Sequence, residues 1–449
     1  MTRTGLLRSL MQVAAAVSVL ICSGGALSAD SGARPIVIGY IGDLSSPGTR
    51  PSLEIQQMAV EEINAAGGIA GRPVKYLMVD GKGGTSLSVE GARRLLVEER
   101  ADVIFVEGRS EICLAAQENS AAMFREYPHV MIFNGPMASE LTGRIVDDYE
   151  RYRFCFRDWV PAAHYAWLDI LFDKTFRQAL GAKKVAILWE DLTWTEEFRK
   201  GVEYLGLPPW KDVAEKKYGL EIVYSKAVKP RGTLYLPILQ QMSIKGADVI
   251  LYVSSWFTDT ETFAKQWADS AARDIPIVLY GGASHTHAFW QMTGGRALGA
   301  VTPFYEGEIP YTEKTVPFIE KARKRGIPLQ IHVHLAYADI YHIKAAIEEA
   351  GGPGDIDRLI AAMERVETTF SLGRMSYETQ RIKPFFHSKV LCDPEDPYRL
   401  LPGYFMLPVA QIQEGGKIAW IAAPGGEEVY AGFLKAAQYL PPKKLRQSD

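Results

Sequence analysis

Two histidine pairs are the first residues whose spacing invites chemistry: His285 with His287, and His332 with His334. On strands, i,i+2 imidazoles share a face and can hold a metal. No acidic or cysteine partner clusters beside them, and His332 and His334 open a helical stretch, where i and i+2 side chains diverge. No metal site is expected, and a surface or capping role suits these histidines better. Enzyme signatures are missing too: there is no G-x-S-x-G elbow, no H-E-x-x-H, no phosphate loop and no G-x-G-x-x-G. No enzymatic activity and no cofactor are expected. The conspicuous residues are aromatic instead. Trp194 follows KVAILWED, Trp256 and Phe257 follow DVILYVSS, and Phe304 and Tyr305 close LGAVTPFYE.

The elements that would position these residues form a repeating pattern. Short apolar runs at 35–42, 74–80, 101–108 and 129–135 alternate with helical stretches. A second series, with runs at 184–191, 220–228, 248–255 and 276–282, follows the aromatic stretch RYRFCFRDW. Such nearly continuous apolar runs belong in parallel sheets covered on both faces. The pattern predicts an α/β fold of two doubly wound parallel-sheet lobes. Three helical segments (312–326, 333–350, 355–369) and a strand pair around Glu414-Gly-Gly complete the chain.

Residues 1–29 read as a cleavable leader: Arg3 and Arg8, an apolar Leu10–Cys22, then Ala26-Leu-Ser-Ala29. The apolar run is too short to span a bilayer, and Ile21 sits where a small residue precedes a lipidated cysteine. The expected location is therefore the periplasm. Without the leader, 48 basic residues face 53 acidic ones, which argues against a nucleic-acid partner. Cys113, Cys155 and Cys392 remain, an odd number without metal or redox spacing, so buried thiols are expected.

The runs IGYIGDLSSPG, EEINAAGGIAGRPVKYLMVDG, IFNGPMASELTG and HLAYADIYHIKAAIEEAGG carry a resemblance. The chain resembles type I periplasmic binding proteins, specifically the branched-chain amino-acid (Leu/Ile/Val) substrate-binding family of ABC transporters. The resemblance covers about 36–372. It implies lobes joined by three crossovers, near 154–157, 302–306 and 371–376. The first lobe would then comprise 30–155 and 306–372, and the second 156–305 and 373–424, with 425–449 as an extension. It also implies a small-molecule ligand in the cleft, hinge closure, and a partner permease at the inner membrane. A monomer is expected. A sensor of the same fold, presenting its ligand to a receptor, is the alternative.

Residue by residue, the resemblance places the ligand against loops 108–113 and 134–139. Arg109, Ser110, Asn134, Gly135 and Met137 are the first-lobe contacts it implies, with Arg109 favouring an anion. The other reading of Arg109 is a surface or inter-lobe ion pair. Met137 stands where amino-acid binders carry Thr. In the second lobe, Gly282, Ala283 and Ser284 occupy the place of the acid that pairs an ammonium. Trp194, Trp256, Phe257, Gly282 and Tyr305 are the expected contacts there, with core or hinge packing as the other reading of the rings. An aromatic cleft with few polar handles suits a flat or apolar ligand. A small organic acid is the expected ligand, with an amino acid left open through Glu190 or Asp191.

Overall fold

A computed structural model describes residues 19–20, 34–159, 161–307, 310–404, 409–422 and 439–446. The expected leader lies outside these residues except Val19–Leu20 (β1), and so does most of the extension beyond Gly425. The first sheet contains β2 (Ile36–Gly42), β3 (Val74–Asp80), β4 (Val103–Glu107), β5 (Val130–Asn134) and β6 (Cys155–Arg157). These strands pair in parallel in the order β3-β2-β4-β5-β6, and β1 adds antiparallel to β3 at the edge. All of β2, β4 and β5 is buried. Helices on both faces account for that burial, and for the runs' lack of polar alternation.

The second sheet repeats the plan. It holds β7 (Lys184–Glu190), β8 (Glu221–Val228), β9 (Val249–Val253), β10 (Ile277–Tyr280) and β11 (Val301–Pro303), in parallel order β8-β7-β9-β10-β11. A short hairpin, β12 (Thr368–Phe370) with β13 (Gly373–Met375), comes next in the chain. Then β14 (Val409–Ile412) and β15 (Ile418–Ala422) extend the second sheet antiparallel beyond β11. In each sheet the strand order reverses beside its first strand, at β2/β4 and at β7/β9. Such switch points open a crevice at the carboxyl ends of the strands.

The connections hold one correction. Residues 371–376 belong to the β12–β13 hairpin and do not cross between lobes. The segment that follows stays on the first lobe. His387 stacks on Phe156, Ser388 bridges Arg157, and Lys389 pairs with Asp339 at 2.9 Å. Tyr398 meets Tyr165 and Lys217 of the second lobe, but Arg374 N–H donates to the Gly403 carbonyl at 2.7 Å and the Tyr404 hydroxyl to Glu367 at 3.0 Å, so the chain reaches the second sheet only between Tyr404 and Val409. Packing of this Pro-rich, aromatic segment, which has no strand or helix period of its own, sets the boundary. Between β6 and β7 the chain forms a 3₁₀ turn (Pro161–Trp167) followed by a π-helix (Asp169–Ala179). Cys113, Cys155 and Cys392 are buried free thiols. Among the described residues, no helix is long and apolar enough to cross a membrane, and no cluster could hold a metal ion.

Candidate functional site

A cavity of about 180 Å³ lies where the two switch points face each other. At roughly 10–15 Å³ per water-sized position, it holds on the order of ten such groups. Loops from both sheets line it: Gly48 and Thr49 after β2, Glu107–Glu111 after β4, and Asn134–Met137 after β5. From the second lobe come Leu192–Trp194, Ser254–Phe257 and Tyr280–Gly282. All ten residues singled out from sequence line this cavity: Arg109, Ser110, Asn134, Gly135, Met137, Trp194, Trp256, Phe257, Gly282 and Tyr305.

Their surroundings differ. Ser110 is buried, and its hydroxyl oxygen accepts the N–H groups of Met137 and Ala138 at 3.2 and 3.0 Å, tying the β4 and β5 loops together. Arg109 is half-exposed, and its Nε pairs with Glu111 at 3.1 Å. Asn134 ends β5, is fully buried, and has neither amide atom partnered among the described residues. Gly282, at φ +70°, follows Gly281, where a β-carbon would come within 1.8 Å of the Ser254 carbonyl oxygen. Only glycine lets the β10 loop pass the β9 loop there. Gly48 does the same between lobes, since a β-carbon on it would lie 2.7 Å from Trp256.

Glu190 is no ligand acceptor, contrary to the alternative read from sequence. It is fully buried and accepts from Trp194 Nε1 (2.8 Å), Ser255 Oγ (2.8 Å) and Thr258 Oγ1 (2.7 Å). Burial nevertheless raises its carboxyl above the usual range. Asp191 turns out to an ion pair with Arg199. Neither lines the cavity. Glu107 does, but burial pushes its carboxyl well above the ordinary range, with nearby Asp158 adding to the effect, while Tyr40 donates to it at 2.7 Å.

The histidines depart further from expectation. His285 and His332 line the cavity, and His334 is buried against Ser371 and the Tyr305 carbonyl. Only His287 is exposed. Burial lowers His285 to about 3, with His332 adding to the effect, and lowers His332 to about 4, so both imidazoles are neutral. His332 reaches the cavity because Gln330 starts the helix Ile331–Ala350 and donates to the Gly48 carbonyl at 2.6 Å.

Sequence reasoning also passed over the first crossover. Trp159, His164 and Trp167 line the cavity from it. Trp159 Nε1–H donates to His164 Nε2 at 2.5 Å, which puts the imidazole proton on Nδ1, facing the Tyr280 hydroxyl at 2.8 Å. That leaves the Tyr280 proton for another acceptor. Arg157, buried and lowered to about 10 by that burial, donates to the Ala138 carbonyl and to Thr142 Oγ1. Asp158 accepts from Gly135 N–H at 3.1 Å. These two hold the β5 loop in place. Two adjacent charged residues inside an apolar crossover, Arg157 and Asp158, were the available signal.

The lobes touch across the cleft. Besides Gly48 and Trp256, Ser139 N–H donates to Glu197 Oε1 at 3.0 Å, linking the β5 loop to helix Thr193–Lys200. Helices Arg50–Ala65, Ser110–Met123, Thr193–Lys200 and Ile331–Ala350 all begin at the cavity wall. Their N-terminal dipole ends favour negative charge.

Fold and site together define a two-lobed protein with a cavity between its lobes. Residues 35–383 match the family model for periplasmic binding proteins, and the chain belongs to that family. It is 24% identical over 348 residues to Leu/Ile/Val-binding protein homolog 3 of Brucella melitensis, covering 76% of this chain and 87% of that one. Among solved structures it is similar to the branched-chain amino acid transporter substrate binding protein LivJ from Streptococcus pneumoniae, in complex with isoleucine. The TM-score is 0.63 at 19% identity, covering 87% of this chain and 99% of that one. A solute binding protein of an ABC transporter from R. palustris, in complex with 4-hydroxybenzoate, also gives 0.63, at 17% identity and 87% and 95% coverage. At these identities the two structures show a common fold.

Proposed function

We propose that this protein is the periplasmic solute-binding component of an ABC importer, and that it captures a small, flat organic acid by closing its lobes. The observation that carries this reading is the composition of the cavity wall. Trp159, Trp194, Trp256, Tyr280 and Tyr305 supply rings from the crossovers and the second lobe. Arg109 and the start of helix Ser110–Met123 supply the positive end from the first. An amino acid's ammonium is best paired by a carboxylate, and the two on the wall are engaged: Glu107 accepts from Tyr40 and is pushed up by burial, and Glu111 pairs with Arg109. The buried acid nearest the second-lobe wall, Glu190, already accepts from three donors. The 4-hydroxybenzoate complex shows that the fold accommodates a ring-bearing acid. The expected partners are the ligand and an inner-membrane permease, with the binding protein itself a monomer.

A thermal-shift screen of the chain from Asp30 onward tests this reading. The panel holds aromatic acids, small dicarboxylates, amides and branched-chain amino acids. A ligand at about 100 times its dissociation constant adds roughly 2.7 kcal/mol and raises the melting midpoint. The expected result is a shift with organic acids and none with leucine or valine. A shift with the amino acids alone would refute it.

A further inference from the structure

Three polar side chains without a formal charge line the cavity. Asn134 is fully buried, with both amide atoms unpartnered among the described residues. His285 closes the turn after β10, is buried, and has neither ring nitrogen partnered there. His332, in the first turn of its helix, leaves Nδ1 unpartnered. All three line the same cavity, and a β-carbon on Gly135, next to Asn134, would lie 3.7 Å from the His332 ring.

Buried polar atoms are normally paired, and each exception calls for a cause. Here the open atoms come from both lobes and line the same cavity. A carboxamide offers two donors and an acceptor, and a neutral imidazole offers one of each. An uncharged wall of mixed donors and acceptors matches a hydroxyl, which both gives and receives. A carboxylate would use only the donors of this wall and an ammonium only its acceptors, whereas a hydroxyl uses both.

We propose that Asn134, His285 and His332 form a hydroxyl-reading subsite, and that the ligand is a hydroxylated flat organic acid. Its carboxylate lies toward Arg109 and its hydroxyl on this trio. The proposal rests on the organic-acid reading and adds the second polar group of the ligand.

Titration calorimetry with 4-hydroxybenzoate, 4-methylbenzoate and benzoate tests it, because hydroxyl and methyl are close in size. The expected result is at least tenfold tighter binding of 4-hydroxybenzoate than of 4-methylbenzoate. Asn134→Leu and His285→Phe should each cut that preference below threefold. If either variant fails to fold, nitrogen-15 histidine spectra of the unaltered protein serve instead. 4-Hydroxybenzoate, but not 4-methylbenzoate, should then shift the ring nitrogens of His285 and His332. Equal affinities, or a preference that survives both variants, would overturn the subsite and leave the organic-acid reading standing. Binding of none of the three also overturns it, and the broader acid panel then decides whether the parent reading falls with it.

Discussion

The two walls of the cleft use their polar groups in opposite ways. In the second lobe, Glu190 draws the Trp194 Nε1–H and the hydroxyls of Ser255 and Thr258 inward, and rings and glycines make up much of the wall beside His285, Thr193 and Ser254. In the first lobe, the deep charges Arg157, Asp158, Asp339 and Lys389 sit behind the wall, while Asn134 and Arg109 face it. The difference teaches a division of labour. Under the proposed function the first lobe would recognise polar groups, and the second would supply apolar area that is buried on closure.

Four predictions break or sharpen that contrast. The largest effect concerns acid. His129, His332 and His334 of the first lobe are lowered by burial to about 4, 4 and 3, and His285 of the second to about 3. Their folded values lie below the unfolded one of about 6.5, so the unfolded chain binds more protons between them. Their contribution to stability is complete above pH 6.5 and is lost as pH falls toward 4. The loss is about 1.4 kcal/mol per pH unit for each histidine. Melting curves from pH 7.5 to 4 should show a steep fall, with amides of the first lobe exchanging first. A flat profile would mean these imidazoles are solvated.

Next comes Lys389→Met. It leaves Asp339 buried without its cation, and removing one partner of a buried pair costs about 3–5 kcal/mol. Urea unfolding measures it. A loss under about 1 kcal/mol would mean that Asp339 is protonated in the folded protein.

Trp194→Ala tests the apolar wall. Removing a central aromatic anchor should weaken ligand binding by about 2 kcal/mol or more, measured by calorimetry with the best acid from the screen. An unchanged affinity would reduce Trp194 to a packing residue for Phe198, which it meets edge-on.

The smallest effect belongs to Arg109→Ala. A charge-assisted contact contributes about 1.5–3 kcal/mol, and Glu111, already on its Nε, places the expected loss near the low end, at about 1.5 kcal/mol. An unchanged affinity for an anion would leave Arg109 as a surface ion pair.

Much of this architecture was legible in the sequence because buried parallel strands write themselves as apolar runs. β3 spans 74–80 as read, and β7 stops one residue short of its expected end. Loop positions followed from strand ends, which is why Trp194 and Gly282 are expected at the cleft, and both line the cavity. Three features were not legible. The late third crossover depends on tertiary contacts of Phe156, Asp339 and Glu367, far away in sequence. The i,i+2 rule for His332 and His334 told only that they diverge, not that one side of the helix start faces the cleft. Glu190 ends a strand as a ligand acceptor would, and only the folded loops show that three nearby donors claim it. His285 lies three residues beyond Gly282, so reading the whole β10 loop would have found it.

One titration tests the central claim most directly: isoleucine and 4-hydroxybenzoate, each run calorimetrically into the leader-free protein at neutral pH. The account predicts saturable one-to-one binding of the hydroxylated acid and no heat from isoleucine. Saturable isoleucine binding with none for the acid would contradict it, and would place an ammonium site in a wall where Glu190 is already engaged.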